Sequence, residues 1–141
     1  LNKSYEINKK NPFTHFTLGV IFFNKKMWSK SAEYINNAIK IKPYYPDAYY
    51  YLGKIFYNVS QFEKAIIFFK RCIQQKKNHD DSFHNIGNSL RDLGRFKDAI
   101  FYYETALEIN PNFMAAVDSR IDLMAEIQAN KPSIWKRIFG G

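Results

Sequence analysis

A chain of 141 residues with 46% apolar and 18% aromatic content has the size of a single domain and enough apolar surface to fill a core, which excludes intrinsic disorder as its organising state. Its one cysteine, Cys72, excludes an internal disulfide and a multi-cysteine zinc site, suits a reducing compartment and makes the cytoplasm the expected location. The net charge of +8 is uneven: residues 1–79 hold 14 Lys/Arg against 4 Asp/Glu, whereas residues 80–141 hold 7 against 9.

From the N-terminus onward, the chain repeats itself every 34 residues. Leu1, Ser4, Tyr5 and Ile7 match Ile35, Ala38, Ile39 and Ile41 at that interval, so residues 1–11 are expected to be the end of a preceding repeat. The apolar periodicity then predicts paired helices at about 12–25 and 29–42, at 46–59 and 63–76, and at 80–93 and 97–110. These pairs define three repeats, 12–45, 46–79 and 80–113. In each, an aliphatic residue precedes a glycine: Leu18-Gly19, Leu52-Gly53 and Ile86-Gly87. At the same interval stand His15, Tyr49 and Phe83, then Trp28, Phe62 and Phe96, then Ser31, Ala65 and Ala99. Ile35, Phe69 and Tyr103 follow, with Ala38, Cys72 and Ala106 one turn beyond.

Local signals agree with the period. Asp80 and Ser82 suit the start of a helix, Gly94 suits a left-handed turn between helices, and Pro111 stands where a helix has ended. Lys26 replaces the turn glycine and Lys77 the final proline in the other repeats. A seventh helix at about 114–129 carries Arg120-Ile121 where the repeats carry the aliphatic-glycine pair, and residues 114–130 are expected to cap the stack. Lys131-Pro132 then opens an amphipathic tail, 131–141, whose Ile134, Trp135, Ile138 and Phe139 would share one side of a short helix. Four large apolar side chains in six residues are expected to dock on a helical repeat, in the same chain or another.

Small residues such as Gly87, Ala99 and Ala106 leave room where helices approach, and Phe83, Phe96 and Tyr103 fill what remains. This order of aromatic, aliphatic-Gly, aromatic, Ala, aromatic, Ala and Pro resembles the tetratricopeptide repeat family, most closely over residues 80–111. The resemblance implies an all-α solenoid of helix-turn-helix units wound as a right-handed superhelix, in which first helices line an inner groove. Carried over at the 34-residue interval, that inner face would show Tyr50, Tyr51, Lys54 and Tyr57 in one repeat and His84, Asn85, Asn88 and Arg91 in the next. It would also include Phe13, Phe16 and Phe23, and about half of these aromatics are expected to pack between first helices. Asn85 and Asn88 are expected to hydrogen-bond a partner and to be dispensable for stability.

Family members that grip a C-terminal carboxylate use a clamp of Lys, Asn and Arg on successive first helices. Phe16, Val20, Tyr51, Asp81 and Asn85 occupy the matching places here, so that clamp is not expected. No nucleophile with a base, paired acids, metal set or phosphate loop stands at a recognisable spacing, and the reading is of a non-enzyme without cofactor or metal. His15 and Cys72 take packing positions. The function read from the sequence is a scaffold that binds a peptide or protein segment in its groove. The alternatives are self-assembly through end faces or tail, and a peripheral membrane or nucleic-acid adaptor using the basic half. Nucleic acid is the least favoured partner, because no recognition motif accompanies the basic residues.

Overall fold

The computed structural model describes residues 10–130 and 137–140. Among them lie seven α-helices: α1 (Pro12–Asn24), α2 (Trp28–Ile41), α3 (Pro46–Asn58), α4 (Phe62–Gln75), α5 (Asp80–Asp92), α6 (Phe96–Ile109) and α7 (Met114–Ala129). Each expected span is met to within one residue at either end. The segment read as the end of a preceding repeat lies almost wholly outside the described residues. None of the helices is long and apolar enough to cross a membrane.

The helices form two compact units, Leu1–Lys77 and Asn78–Gly141. The first contains the hairpins α1–α2 and α3–α4, with α2 packed on α3. The second contains the hairpin α5–α6, with α7 packed mainly on α6. In the first unit Ile35, Ala38, Ala48, Leu52, Ile55 and Cys72 form the buried core.

The repeated glycines set how closely each hairpin closes. A Cβ at Gly53 would stand 2.6 Å from Phe69 Cδ1, and one at Gly87 would stand 2.5 Å from Tyr103 Cε1. Gly19 meets Ile35 in the same way, at 2.5 Å from Cγ1. Ile35, Phe69 and Tyr103 are wholly buried, so each second helix drives a large side chain into the space left by a missing one. Ser31, which replaces the usual alanine, donates its hydroxyl to the Gly19 carbonyl at 2.7 Å and is thereby satisfied in the same crevice.

The turns repeat as faithfully as the contacts. Lys26, Ser60 and Gly94 all adopt left-handed backbone, with φ of 60°, 61° and 79°. Met27, Gln61 and Arg95 N–H donate to the carbonyls of Phe22, Phe56 and Leu90, while Lys26, Ser60 and Gly94 N–H donate to those of Phe23, Tyr57 and Arg91. These two bonds are the Schellman pattern, which satisfies carbonyls that a helix end otherwise exposes. The helix α5 begins at Asp80, with Ser82 in its first turn, as expected. Its cap is His79, whose Nδ1 accepts from the Ser82 N–H at 3.2 Å, whereas Ser82 lies inside the helix, wholly buried.

Phe69→Ala or Tyr103→Ala should destabilise its hairpin by about 3 to 5 kcal/mol, because each removes the residue that fills the glycine crevice. A loss under about 1 kcal/mol in reversible denaturant unfolding would show that the crevice closes without it. In the opposite direction, Ser60→Gly should stabilise by about 0.5 to 1 kcal/mol, since a β-carbon at this φ is strained by more than glycine loses in entropy. The denaturation midpoint reads this directly, and an unchanged or lowered value would contradict it.

Candidate protein-binding faces

The first helices α1 and α3 meet through aromatic rings. Tyr51 on α3 makes edge contacts with Phe16 and Phe23 of α1 at centroid distances of 5.5 and 5.2 Å. Tyr50 lies against Tyr51 at 5.7 Å and Phe69 at 5.9 Å, and Tyr57 lies edge-on to Phe62 at 5.3 Å. The Lys54 ammonium sits 4.9, 4.9 and 4.8 Å from the ring centroids of Phe23, Tyr50 and Tyr51. Lys42 similarly overlies Phe13 and Tyr45 at 4.8 and 4.9 Å. Tyr50, Tyr51, Lys54 and Tyr57 are all half-buried, so this face joins apolar rings to a positive charge that the rings themselves stabilise.

The second unit presents a polar face made by α5 and α7. His84 Nε2 pairs with Ser119 Oγ at 2.8 Å while its ring packs on Phe113 at 5.1 Å. Arg91 donates to Glu126 at 3.1 Å. Asn88 accepts a 2.7 Å hydrogen bond from the buried Tyr103 hydroxyl, and Asn85 donates to the Asp81 carbonyl one turn back in its own helix. Of the residues expected to meet a partner, His84, Asn88 and Arg91 thus also join neighbouring helices.

Burial shapes the titration of this face. It lowers the His84 pKa below the usual histidine value, an effect that the Asp81 charge partly offsets. Burial also pushes the Tyr103 hydroxyl up to about 12. Burial opposes the Arg91 charge, but the hydrogen bond and charge of Glu126 outweigh it and leave the pKa raised.

One spacing explains several of these contacts. Phe16–Tyr51, His84–Ser119 and Arg91–Glu126 are each 35 residues apart, one repeat plus one position. First helices of successive repeats touch at that offset, which is the sequence signal that would have assigned Glu126 to the face; Ser119 on the capping helix is already expected there from the 34-residue interval. Lys42, in the linker after α2, had no such signal, because its contact depends on the path of the turn.

In the tail, Ile134 and Trp135 lie outside the described residues. Ile138 is half-buried and, with Arg137, lines a small cleft against Gly94, Arg95, Phe96, Lys97 and Asp98. Arg137 donates to the Gly94 carbonyl at 2.9 Å and lies 5.5 Å from the Phe96 ring centroid. Phe139 is 54% exposed. The described part of the tail therefore meets its own repeat through the Arg137 cation and the half-buried Ile138.

Asn88 is not dispensable, contrary to the sequence expectation, because its removal strands a buried hydroxyl. Asn88→Ala should cost about 1 to 3 kcal/mol, and Tyr103→Phe in the same chain should recover part of that loss. Failure of the second change to recover stability would show that the hydrogen bond is not the cause. For His84, a folded pKa below the unfolded value means that the neutral form stabilises the fold fully above about pH 6.5, and that this stability declines as pH falls through the folded pKa. His84→Gln should remove that part of the acid slope in the melting temperature, and an unaltered slope would assign it to other groups.

Models of the tetratricopeptide repeat match residues 46–79 and 81–113. No curated protein sequence matches the chain significantly. Among solved structures, the Arabidopsis OM64 TPR domain superposes with a TM-score of 0.80 at 20% identity, covering 85% of this chain and 99% of that one. The first TPR of Spaghetti (RPAP3), solved bound to the HSP90 peptide SRMEEVD, gives 0.78 at 14% identity over 83% of this chain and 93% of its own. MamA gives 0.81 at 21% identity over 96% and 78%. Identities this low speak for the fold alone. The two matched repeats, together with the glycine crevice that recurs at the same interval, show that the chain is built of tetratricopeptide repeats.

Proposed function

We propose that the protein is a non-catalytic scaffold that holds a peptide or protein segment against its first helices, with the face around Lys54 as the principal seat. The carrying observation is Lys54 among Phe23, Tyr50 and Tyr51, each ring centroid within 4.9 Å of the ammonium. Half-buried aromatics supply contact area at small entropic cost, and a cation fixed among them attracts a carboxylate without first being ordered. The fold supports the reading, since a neighbouring structure of this type holds a peptide. The positions that would grip a C-terminal carboxylate carry Phe16, Val20 and Tyr51 here, so the segment is expected to be apolar or aromatic with a carboxylate side chain. Tyr57, one turn further along α3, would supply a further contact.

Selection of a displayed random-peptide library on the whole chain tests this. It should yield sequences that combine apolar or aromatic residues with Asp or Glu, and Lys54→Gln should weaken them about tenfold, the scale of one charge-assisted contact. The unfolding midpoint should stay within about 0.5 kcal/mol of the parent, because Lys54 lies on the surface of the core. SRMEEVD should bind no tighter than about millimolar. An empty selection, or affinities that Lys54→Gln leaves unmoved, would remove this face from the function.

A further inference from the structure

The second helices turn one face away from their hairpin partners, and on two of them that face is unusual. On α4 it carries Glu63, Lys64, Ile67 and Lys70, and on α6 Lys97, Asp98, Phe101 and Glu104, all exposed. Each residue stands 34 positions from its counterpart, so the two faces present equal heights with opposite sign: Lys64 answers Asp98, Lys70 answers Glu104 and Glu63 answers Lys97. At the centre of each charged ring is a large apolar side chain, Ile67 at 54% and Phe101 at 57% exposure. The fold does not demand this, because α2 has Glu33 and Asn36 in place of Ile67 and Lys70.

The α4 face also has somewhere to receive a ring. Beside Ile67 opens a cleft of 520 Å³ bounded by Tyr49, Lys70, Arg71, Gln74 and Gln75, with the Arg71 guanidinium 5.9 Å from the Tyr49 centroid. Its walls are cationic, amide and aromatic. What fits them is an aromatic side chain flanked by carboxylates, and Phe101 between Asp98 and Glu104 is such a group. None of Lys70, Asp98 and Glu104 makes an ion pair among the described residues.

We propose that the outer face of α4 docks the outer face of α6 from a second copy of the chain. Laid parallel and in register along the seam of Glu63, Ile67 and Lys70, the helices bring Ile67 against Phe101, Glu63 against Lys97 and Lys70 against Glu104, with Lys64 and Asp98 on the flanks. An antiparallel arrangement sets Arg71 against Lys97 and is disfavoured. Exposed ion pairs each contribute little, and a single helix pair is a small interface, so the association is weak, with a Kd on the order of 0.1 mM at low salt. This docking uses the faces of α4 and α6 turned away from their own hairpin partners, and it stands whether or not the Lys54 face holds a peptide.

Light scattering of the whole chain from about 5 to 500 µM in low salt should show the mass rising above that of a monomer, and falling back when salt is raised about tenfold. Lys64→Glu with Lys70→Glu should abolish the rise, as should Asp98→Lys with Glu104→Lys. An equimolar mixture of these two variants should associate again, because each restores the complement that the other lost. Adding Ile67→Ser and Phe101→Ser to both should then weaken the mixed complex about tenfold. All these positions are exposed, so circular dichroism should report an unchanged helical fold. A wild-type chain that stays monomeric throughout overturns the proposal. So does a mixture that fails to associate, or a mixed complex indifferent to the serine changes, which would be loose attraction between oppositely charged chains.

Discussion

The contact on which the structure depends is the entry of one large side chain per repeat into the gap left by a glycine. Gly19, Gly53 and Gly87 face Ile35, Phe69 and Tyr103, and the approach is so close that a single β-carbon would collide with the facing side chain. Ala38, Cys72 and Ala106, one turn further along the second helices, are likewise wholly buried. The chemistry of the large residue is free to vary as long as its volume is taken up. Tyr103 uses that freedom to carry a hydroxyl through the core to Asn88, which ties α6 to the face of α5.

Each crevice joins residues only 16 positions apart, and each turn is closed by two backbone hydrogen bonds around a left-handed residue. Hairpin formation is therefore local, with a small loop-closure cost, and the unit of folding is the hairpin with its neighbour. Longer-range order comes from contacts between successive repeats. In the first unit Gln75 binds the Tyr45 N–H and the Pro43 carbonyl, fixing the α2–α3 turn against the end of α4. In the second, Arg91 donates to Glu126 and ties the repeat to α7, while within the repeat Asn110 donates to Asp80 and holds the end of α6 near the start of α5.

Helix positions were legible because apolar residues recur at 3.6 within a recurrence of 34, and two periods that agree leave little freedom for error. The roles of Gly53, Phe69 and Cys72 followed from position alone. What the sequence did not disclose was the use of polar residues. Asn88, Arg91 and His84 look like an open binding face when the first helix is read alone, and their partners Tyr103, Glu126 and Ser119 are found only when neighbouring helices are in place. The left-handed conformation of Ser60 was hidden for a different reason: residue identity there is a weak guide, because the Schellman bonds impose φ on whichever residue occupies the turn. His79 as a helix cap was obscured by the more usual capping residues beside it.

The surfaces proposed for function are those that the crevices leave uncommitted: an aromatic face with Lys54 at its centre, and outer helix faces whose charges oppose each other from one repeat to the next. Both presuppose that glycine and its facing side chain fix the hairpin geometry. A double-mutant cycle of Gly53→Ala and Phe69→Leu in reversible denaturant unfolding tests this most directly. If the crevice is the governing contact, Gly53→Ala alone is costly, and shortening the facing side chain recovers about 1 kcal/mol or more of that loss. Strictly additive losses would mean that the two positions do not sense each other, and would contradict the account at its foundation.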